Sequence, residues 1–316
     1  MAEEMTTDEP GARRGWSLRG VLPVLCTPFD EHGALDLQSL ERHVRDLVGA
    51  GVDGMVAFGL ASEVYKLSDA ERTRVLETVT TAAGSVPVLA GCEHDSLETA
   101  RARALAAASS GAAGLMAFPP HFVPPPPSEV VEYYRAISSA SGLPVVVQDA
   151  PGWTGVALQV AQLEEIAEAC PTPVAVKVEA PPTAPKVAAL TAQRVPTIGG
   201  YGALHLAEEL HAGVIGTMPG SALPRAFVDL WRAHADGDAS DARSRYERLL
   251  PLLVFEMGSL DLFVAVQKTL LARAGVIAFP TTRRPGGSLD RNQRAWLDGL
   301  VENLPDVRAE LEIPRP

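Results

Sequence analysis

Positive charge is scarce in this chain, and lysine is the scarcest form of it: Lys66, Lys177, Lys186 and Lys268 are the only four. The 27 basic side chains face 39 acidic ones, a net charge of −12. That balance excludes nucleic acid or an anionic membrane as the main partner, because both are polyanions. Cysteine is nearly absent. Cys26, Cys92 and Cys170 form no Cys-x-x-Cys pair and no even-numbered set, which excludes a disulfide framework and suits a reducing cytoplasm. No run approaches the ~18 uninterrupted apolar residues of a transmembrane helix. The segment Met1 to Gly15 is acidic, then arginine-containing, and lacks the apolar centre of a signal peptide. Aromatic residues make up only 5% of the chain, yet 47% of it is hydrophobic, so a large core must be built from aliphatic side chains.

What is present is a repeated beat. After residues 1–17, which read as a mobile tail, a short apolar run, a Gly- or Pro-marked loop and a helical segment are expected to follow one another eight times. The expected strands are Val21–Cys26, Gly54–Phe58, Val86–Ala90, Gly114–Phe118, Pro144–Gln148, Val174–Glu179, Thr197–Gly200 and Gly213–Thr217. Ser68 and Glu71 have capping-box spacing, Ser128 precedes a helix start, and Gly51 and Gly111 are natural helix ends. Eight strand–helix units in the span 18–222 predict an α/β fold, a (β/α)8 barrel. The remainder, 223–316, supplies the last barrel helix and a helical extension with segments near 239–257, 259–274 and 290–304. The proline run from Pro119 to Pro127 follows the fourth strand and reads as a stiff loop at the barrel's carboxyl face.

Lys177 stands out because it lies inside a β-branched run, Val174-Ala175-Val176-Lys177-Val178-Glu179. Strand alternation puts the three valines on one face and Ala175, Lys177 and Glu179 on the other. Burial strips an ammonium of water and favours the free amine, the form that condenses with a carbonyl. The plainer alternative is a structural Lys177–Glu179 ion pair. Active sites of such barrels gather at the strands' carboxyl ends. Those ends read Thr27-Pro28-Phe29, Gly59-Leu60-Ala61-Ser62-Glu63, Gln148-Asp149-Ala150-Pro151, Lys177 with Glu179, Gly199-Gly200-Tyr201-Gly202 and Met218-Pro219-Gly220. The Gly-Gly-Tyr-Gly stretch is compatible with a phosphate loop and equally with a tight turn. No His, Cys, Asp and Glu cluster has metal-ligand spacing, and no Gly-x-Ser-x-Gly elbow supports a serine hydrolase.

Together these segments resemble the dihydrodipicolinate synthase/N-acetylneuraminate lyase family, the class I Schiff-base lyases, from about Leu18 to the C-terminal helices. The family's Gly-Thr-Thr-Gly-Glu loop falls on Gly59–Glu63, its Tyr-x-x-Pro motif on Gln148–Pro151, its Schiff-base lysine on Lys177 and its Gly-Val-Ile turn on Gly213-Val214-Ile215. The resemblance implies Lys177 as nucleophile, with Gly59, Ala61, Ser62, Trp153, Gly200 and Ile215 around the substrate. It also implies a homotetramer and no cofactor or metal. Two departures matter. The proton-relaying tyrosine is Gln148, whose amide cannot exchange a proton near neutral pH. An arginine found five residues further on in the dihydrodipicolinate synthases is Trp153. The sequence is similar to the L-2-keto-3-deoxyarabonate dehydratase subgroup in Gln148-Asp149-Ala150-Pro151, Lys177-Val178-Glu179, Ser62-Glu63, Leu67-Ser68-Asp69-Ala70-Glu71-Arg72 and Gly275-Val276-Ile277.

These observations predict a lyase acting on a short 2-oxo acid, with dehydration of a 2-keto-3-deoxy sugar acid the first expectation. In that scheme Lys177 forms the imine, Glu179 replaces the missing tyrosine as acid and base, and Gln148 orients the substrate. A pyruvate-dependent aldolase on the same fold is the alternative. A non-catalytic 2-oxo acid binder is a third.

Overall fold

The computed structural model describes residues 18–312; the expected tail, 1–17, lies outside the described residues. Eight short strands are present: β1 (Gly20–Val21), β2 (Met55–Ala57), β3 (Val88–Gly91), β4 (Gly114–Ala117), β5 (Val145–Asp149), β6 (Val174–Val178), β7 (Thr197–Gly199) and β8 (Gly216–Thr217). All pair in parallel, in the order β1-β8-β7-β6-β5-β4-β3-β2. The two ends of that sheet meet at Val24, which bridges both Val56 and Gly220. The chain is a (β/α)8 barrel with added C-terminal helices.

The seam at β1 shows how one residue shapes the closure. The N–H groups of Gly20, Leu22 and Val24 donate toward β8, to the carbonyls of Ile215, Thr217 and Pro219, each at 2.9 Å. The alternate positions face β2. There Val21 N–H turns to the Asp53 carboxylate at 2.8 Å, and Pro23 has no N–H to give. Pairing with β2 therefore rests on Leu25 N–H to Val56 O and Val56 N–H to Pro23 O, both 2.9 Å. The expected strand Val21–Cys26 is accordingly a two-residue strand followed by an isolated bridge.

Two apolar layers hold the barrel. Leu22, Val24, Val56, Leu89, Met116, Val146, Ala175, Ile198 and Met218 fill its interior. The alternate strand residues, among them Val145, Val147, Val174, Val176 and Val178, pack outward under the helices. Helix signals read from the sequence have clear structural counterparts. Asp36 and Ser68 cap Leu37–Ala50 and Asp69–Ala83, the latter with a full capping box to Glu71. Ser128, by contrast, is not a cap. The helix Pro127–Ser141 starts on proline, whose fixed φ suits the first turn.

After β8 the helix Pro224–Ala235 completes the outer layer. Ala239–Glu256, Leu260–Arg273 and Arg291–Asn303 follow, close to the expected segments, and Pro305–Glu312 is a further helix that the sequence pattern did not announce. The stretch between the third and fourth of these returns to the barrel through Arg283. Its guanidinium takes both oxygens of Glu71 (2.7 and 3.0 Å), the carbonyl of Lys66 (2.9 Å) and that of Gly33 (3.0 Å). The hydrogen bond from Arg283 is the main reason the Glu71 carboxyl is held down at about 2. A depressed carboxyl stabilises the fold fully above its unfolded value, near 4.5, and that contribution fades as pH falls toward the folded value. Thermal melts between pH 5 and pH 2 should therefore show a loss of stability that is shallower in Glu71→Gln; equal slopes would assign the acid transition to other groups.

Candidate active site

Alternation along β5 and β6 builds the centre of the site. Gln148 and Lys177 are register partners on adjacent strands and both point inward. Asp149 points outward and meets the Lys186 ammonium, so the two polar residues of the Gln148-Asp149 pair serve opposite faces. Glu179 lies one residue past β6, tied by its N–H to the Asp149 carbonyl at 2.9 Å. Lys177 and Glu179 are 4% and 5% exposed, and Lys177 Nζ stands 3.3 Å from Glu179 Oε1. The same oxygen accepts the Tyr201 N–H at 2.8 Å, while Oε2 accepts Gln148 Nε2 at 2.6 Å. Two hydrogen bonds and an ion pair thus fix one carboxylate. Gln148 Oε1, turned away from it, is buried with no partner.

The loop after β7 is shaped for these carboxyls. A side chain at Gly200 would place its Cβ 2.4 Å from Glu179 Cγ, and one at Gly199 would place it 2.2 Å from Glu209 Oε2. The two glycines let Glu179 and Glu209 press on the strand from its inner and outer sides. Tyr201, Gly202 and Ala203 then run through positive φ (52°, 61° and 66°), which aims the Tyr201 N–H at Glu179. The stretch is a carboxylate-accommodating turn, not a phosphate cradle. Neither oxygen of Glu209 has a hydrogen-bond partner, and burial, the largest influence, lifts its carboxyl to about 8.

The turn after β2 forms another wall. Leu60–Ser62 is a single 3-10 turn whose Leu60 and Ala61 line the pocket. The Ser62 hydroxyl donates to the Leu25 carbonyl, its N–H to Gly59 O at 2.9 Å, and its carbonyl accepts from Thr27 Oγ1 at 2.7 Å. Ser62 therefore holds the turn in place. The N–H groups of Leu60 and Ala61 have no acceptor among the described residues. Gly59 backs onto Val24, where an added Cβ would sit 2.5 Å from Val24 Cγ1.

Of the residues expected around the substrate, Lys177, Glu179, Gln148, Ala61 and Trp153 share one pocket that opens to solvent. Gly59, Ser62 and Gly200 lie directly behind its walls. Ile215 precedes β8 and packs on the barrel's interior cluster, away from the lining. The proline loop does not line it either: Asp95 holds it through the N–H groups of His121 and Phe122 (2.7 and 2.8 Å), and Phe122 points to solvent. Sequence reasoning missed Tyr201, whose ring centroid lies 6.3 Å from that of Trp153. It also missed Met257, Leu260 and Phe263, which reach the pocket from the C-terminal helices. Their only signal in sequence was an apolar helical pattern, which any core helix shares. Among the described residues no group of three or more His, Cys, Asp or Glu side chains could hold a metal ion.

The structure is a parallel barrel with a buried lysine beside a pocket at the strands' carboxyl ends, the place where enzymes of this fold carry their active sites, and comparison with known proteins makes the class specific. The model of the Dihydrodipicolinate synthetase family matches residues 17–304, and the chain belongs to that family of lyases. It is 34% identical over 296 residues to an L-2-keto-3-deoxyarabonate dehydratase of Azospirillum brasilense, covering 90% of this chain and 94% of that protein. An N-acetylneuraminate lyase of Citrobacter koseri is 40% identical over 151 residues, 47% of this chain and 51% of the relative. Among solved structures, a putative dihydrodipicolinate synthetase of Pseudomonas aeruginosa superposes with a TM-score of 0.84 at 29% identity, covering 91% of this chain and all of the other.

The glycine pair gives a direct check on the site's packing. Gly200→Ala should cost about 1–3 kcal/mol in urea unfolding by driving a methyl into Glu179. Gly152→Ala, with nothing within 4 Å of its added carbon, should stay within about 0.5 kcal/mol of the parent. Equal stability of the two variants would contradict the packing described.

Proposed function

We propose that this lyase dehydrates a short 2-keto-3-deoxy sugar acid through an imine on Lys177. The observation that carries the reading is the Lys177–Glu179–Gln148 arrangement, in which a carboxylate stands 3.3 Å from the amine where an amide has taken the place of a relay tyrosine. The amine adds to the C2 carbonyl and water leaves, giving a protonated imine. Glu179 removes a C3 proton, and the electron pair moves into the imine to form an enamine. The enamine expels the C4 hydroxyl, which departs as water with the proton that Glu179 returns. A C5 proton then moves to C3, which turns the terminal carbinol into a C4=C5 enol; the enol becomes the aldehyde, and hydrolysis frees Lys177 and the dicarbonyl 2-oxo acid. Gln148 Oε1, buried without a partner, suits the acceptance of a hydrogen bond from a substrate hydroxyl. The free N–H groups of Leu60 and Ala61 suit the substrate carboxylate. Trp153 and Tyr201 offer aromatic faces and no second positive charge to the distal end. We further propose a homotetramer, on the family resemblance, and a cytoplasmic enzyme, on the three scattered cysteines.

Borohydride added with pyruvate or L-2-keto-3-deoxyarabonate should leave a stable mass adduct on Lys177 that is absent from Lys177→Ala. Glu179→Gln should still be trapped, yet turn over about 10²–10⁴-fold more slowly, the usual worth of general acid–base assistance. Absence of any adduct across a panel of 2-oxo acids would sink the imine mechanism.

A second reading, a pyruvate-dependent aldolase, is favoured by the apolar wall of Met218, Met257, Leu260 and Phe263, which suits a bulkier and less polar acceptor. Product analysis decides. A dicarbonyl acid of the semialdehyde type is the expected product from a 2-keto-3-deoxy sugar acid, and release of free pyruvate would instead establish carbon–carbon cleavage.

A further inference from the structure

Lys177 is not the most deeply buried lysine. Lys268, in the helix Leu260–Arg273, is fully buried, and burial pushes its ammonium below the ordinary value against the pull of Glu63. Its Nζ donates to Glu63 Oε1 and, at 2.8 Å, to the Thr281 carbonyl. Glu63 is also fully buried and directly follows the turn Leu60–Ser62, with φ and ψ of 53° and 35°. Its other oxygen accepts Lys66 Nζ and the Arg283 N–H, both at 2.9 Å. The Phe29 ring lies under both Lys268 Nζ and the Arg283 guanidinium, each 4.3 Å from its centroid. A residue other than glycine held at positive φ persists only where its surroundings over-determine it. Here two ammonium groups and a backbone N–H do so.

The helix that carries Lys268 also walls the pocket with Leu260 and Phe263. Its neighbour Gln267 accepts the Ala222 N–H at 2.9 Å and donates to Glu256 at 2.9 Å, so consecutive residues of one helix grip the turns after β2 and after β8. We infer that Lys268, acting through Glu63, is a positioning residue for the substrate carboxylate: it sets the turn whose two free N–H groups, those of Leu60 and Ala61, receive that group. This rests on the proposed imine-forming reaction, in which those amides hold the 2-oxo acid. The C-terminal extension is then a working part of the site, although Lys268 does not line the pocket.

The test compares two probes that share a ketone and differ in charge, pyruvate and pyruvamide, by the concentration that half-saturates borohydride trapping on Lys177. In Lys268→Met the half-saturating pyruvate concentration should rise about tenfold or more, the usual effect of losing a charged hydrogen bond. The trapping rate at saturation should change by less than about threefold, and pyruvamide, lacking the carboxylate, should be trapped as in the parent. Lys268→Arg should recover most of the pyruvate affinity. If Lys268→Met does not fold, Lys66→Met, which removes the less buried of the two cations on Glu63, should show the same selective loss on a smaller scale. Equal weakening of both probes, or a lower melting temperature with unchanged half-saturation, would overturn the inference and leave Lys268 a structural ion. Failure of the parent protein to trap either probe would instead overturn the imine mechanism, so the two failures are distinct.

Discussion

A charge taken into a dry interior must find an opposite charge there, and this constraint organises the carboxyl end of the barrel. All four lysines obey it. Lys177 faces Glu179 at 3.3 Å, Lys186 meets Asp149, and Lys66 and Lys268 share Glu63. The pairs differ in what surrounds them. Lys186 and Lys268 have further backbone acceptors in Leu158 and Thr281, and both stand outside the pocket lining. Lys177 has one carboxylate, no further acceptor among the described residues, and a place in the pocket wall. Burial alone does not set Lys177 apart; burial next to a cavity, with a single carboxylate partner, does.

The carboxylate of Glu179 is the second element. The Gln148 amide carries no proton it can exchange near neutral pH, yet its NH2 end anchors Glu179 and its carbonyl oxygen is buried without a partner. Glycine at the last position of β7 and at the residue after it yields room on both sides, and the loop beyond accepts three residues of positive φ to deliver one N–H to Glu179. Backbone strain at the two non-glycine residues, Tyr201 and Ala203, about 1–3 kcal/mol each, persists where packing and hydrogen bonds outweigh it. At Tyr201 the hydrogen bond to Glu179 is one such contribution.

Much of this was legible in the sequence because the relevant physics is local. Strand alternation is a two-residue period, so the inward face of Ala175, Lys177 and Glu179 follows from the run itself. The capping box of Ser68 and Glu71 is equally local, and it is present in full. The limits of local reasoning are just as specific. Pro23 shortens the first strand because its missing N–H falls on the side facing β2, a matter of which neighbour lies there. The hydroxyl of Ser62 looks free in the sequence, but in the fold it is bonded to the Leu25 carbonyl, 37 residues away.

By itself the sequence determined the eightfold strand–helix beat and the inward placement of the lysine–glutamate pair on the sixth strand, since each is a property of a few adjacent residues. Only the tertiary structure decided what surrounds that pair: Tyr201 turned onto Glu179, Met257, Leu260 and Phe263 brought in from the C-terminal helices, and Lys268 set against Glu63 across 205 residues of chain. The physical reason is that periodicity fixes the face on which a side chain lies, whereas its partners depend on which elements pack against that face once the barrel has closed.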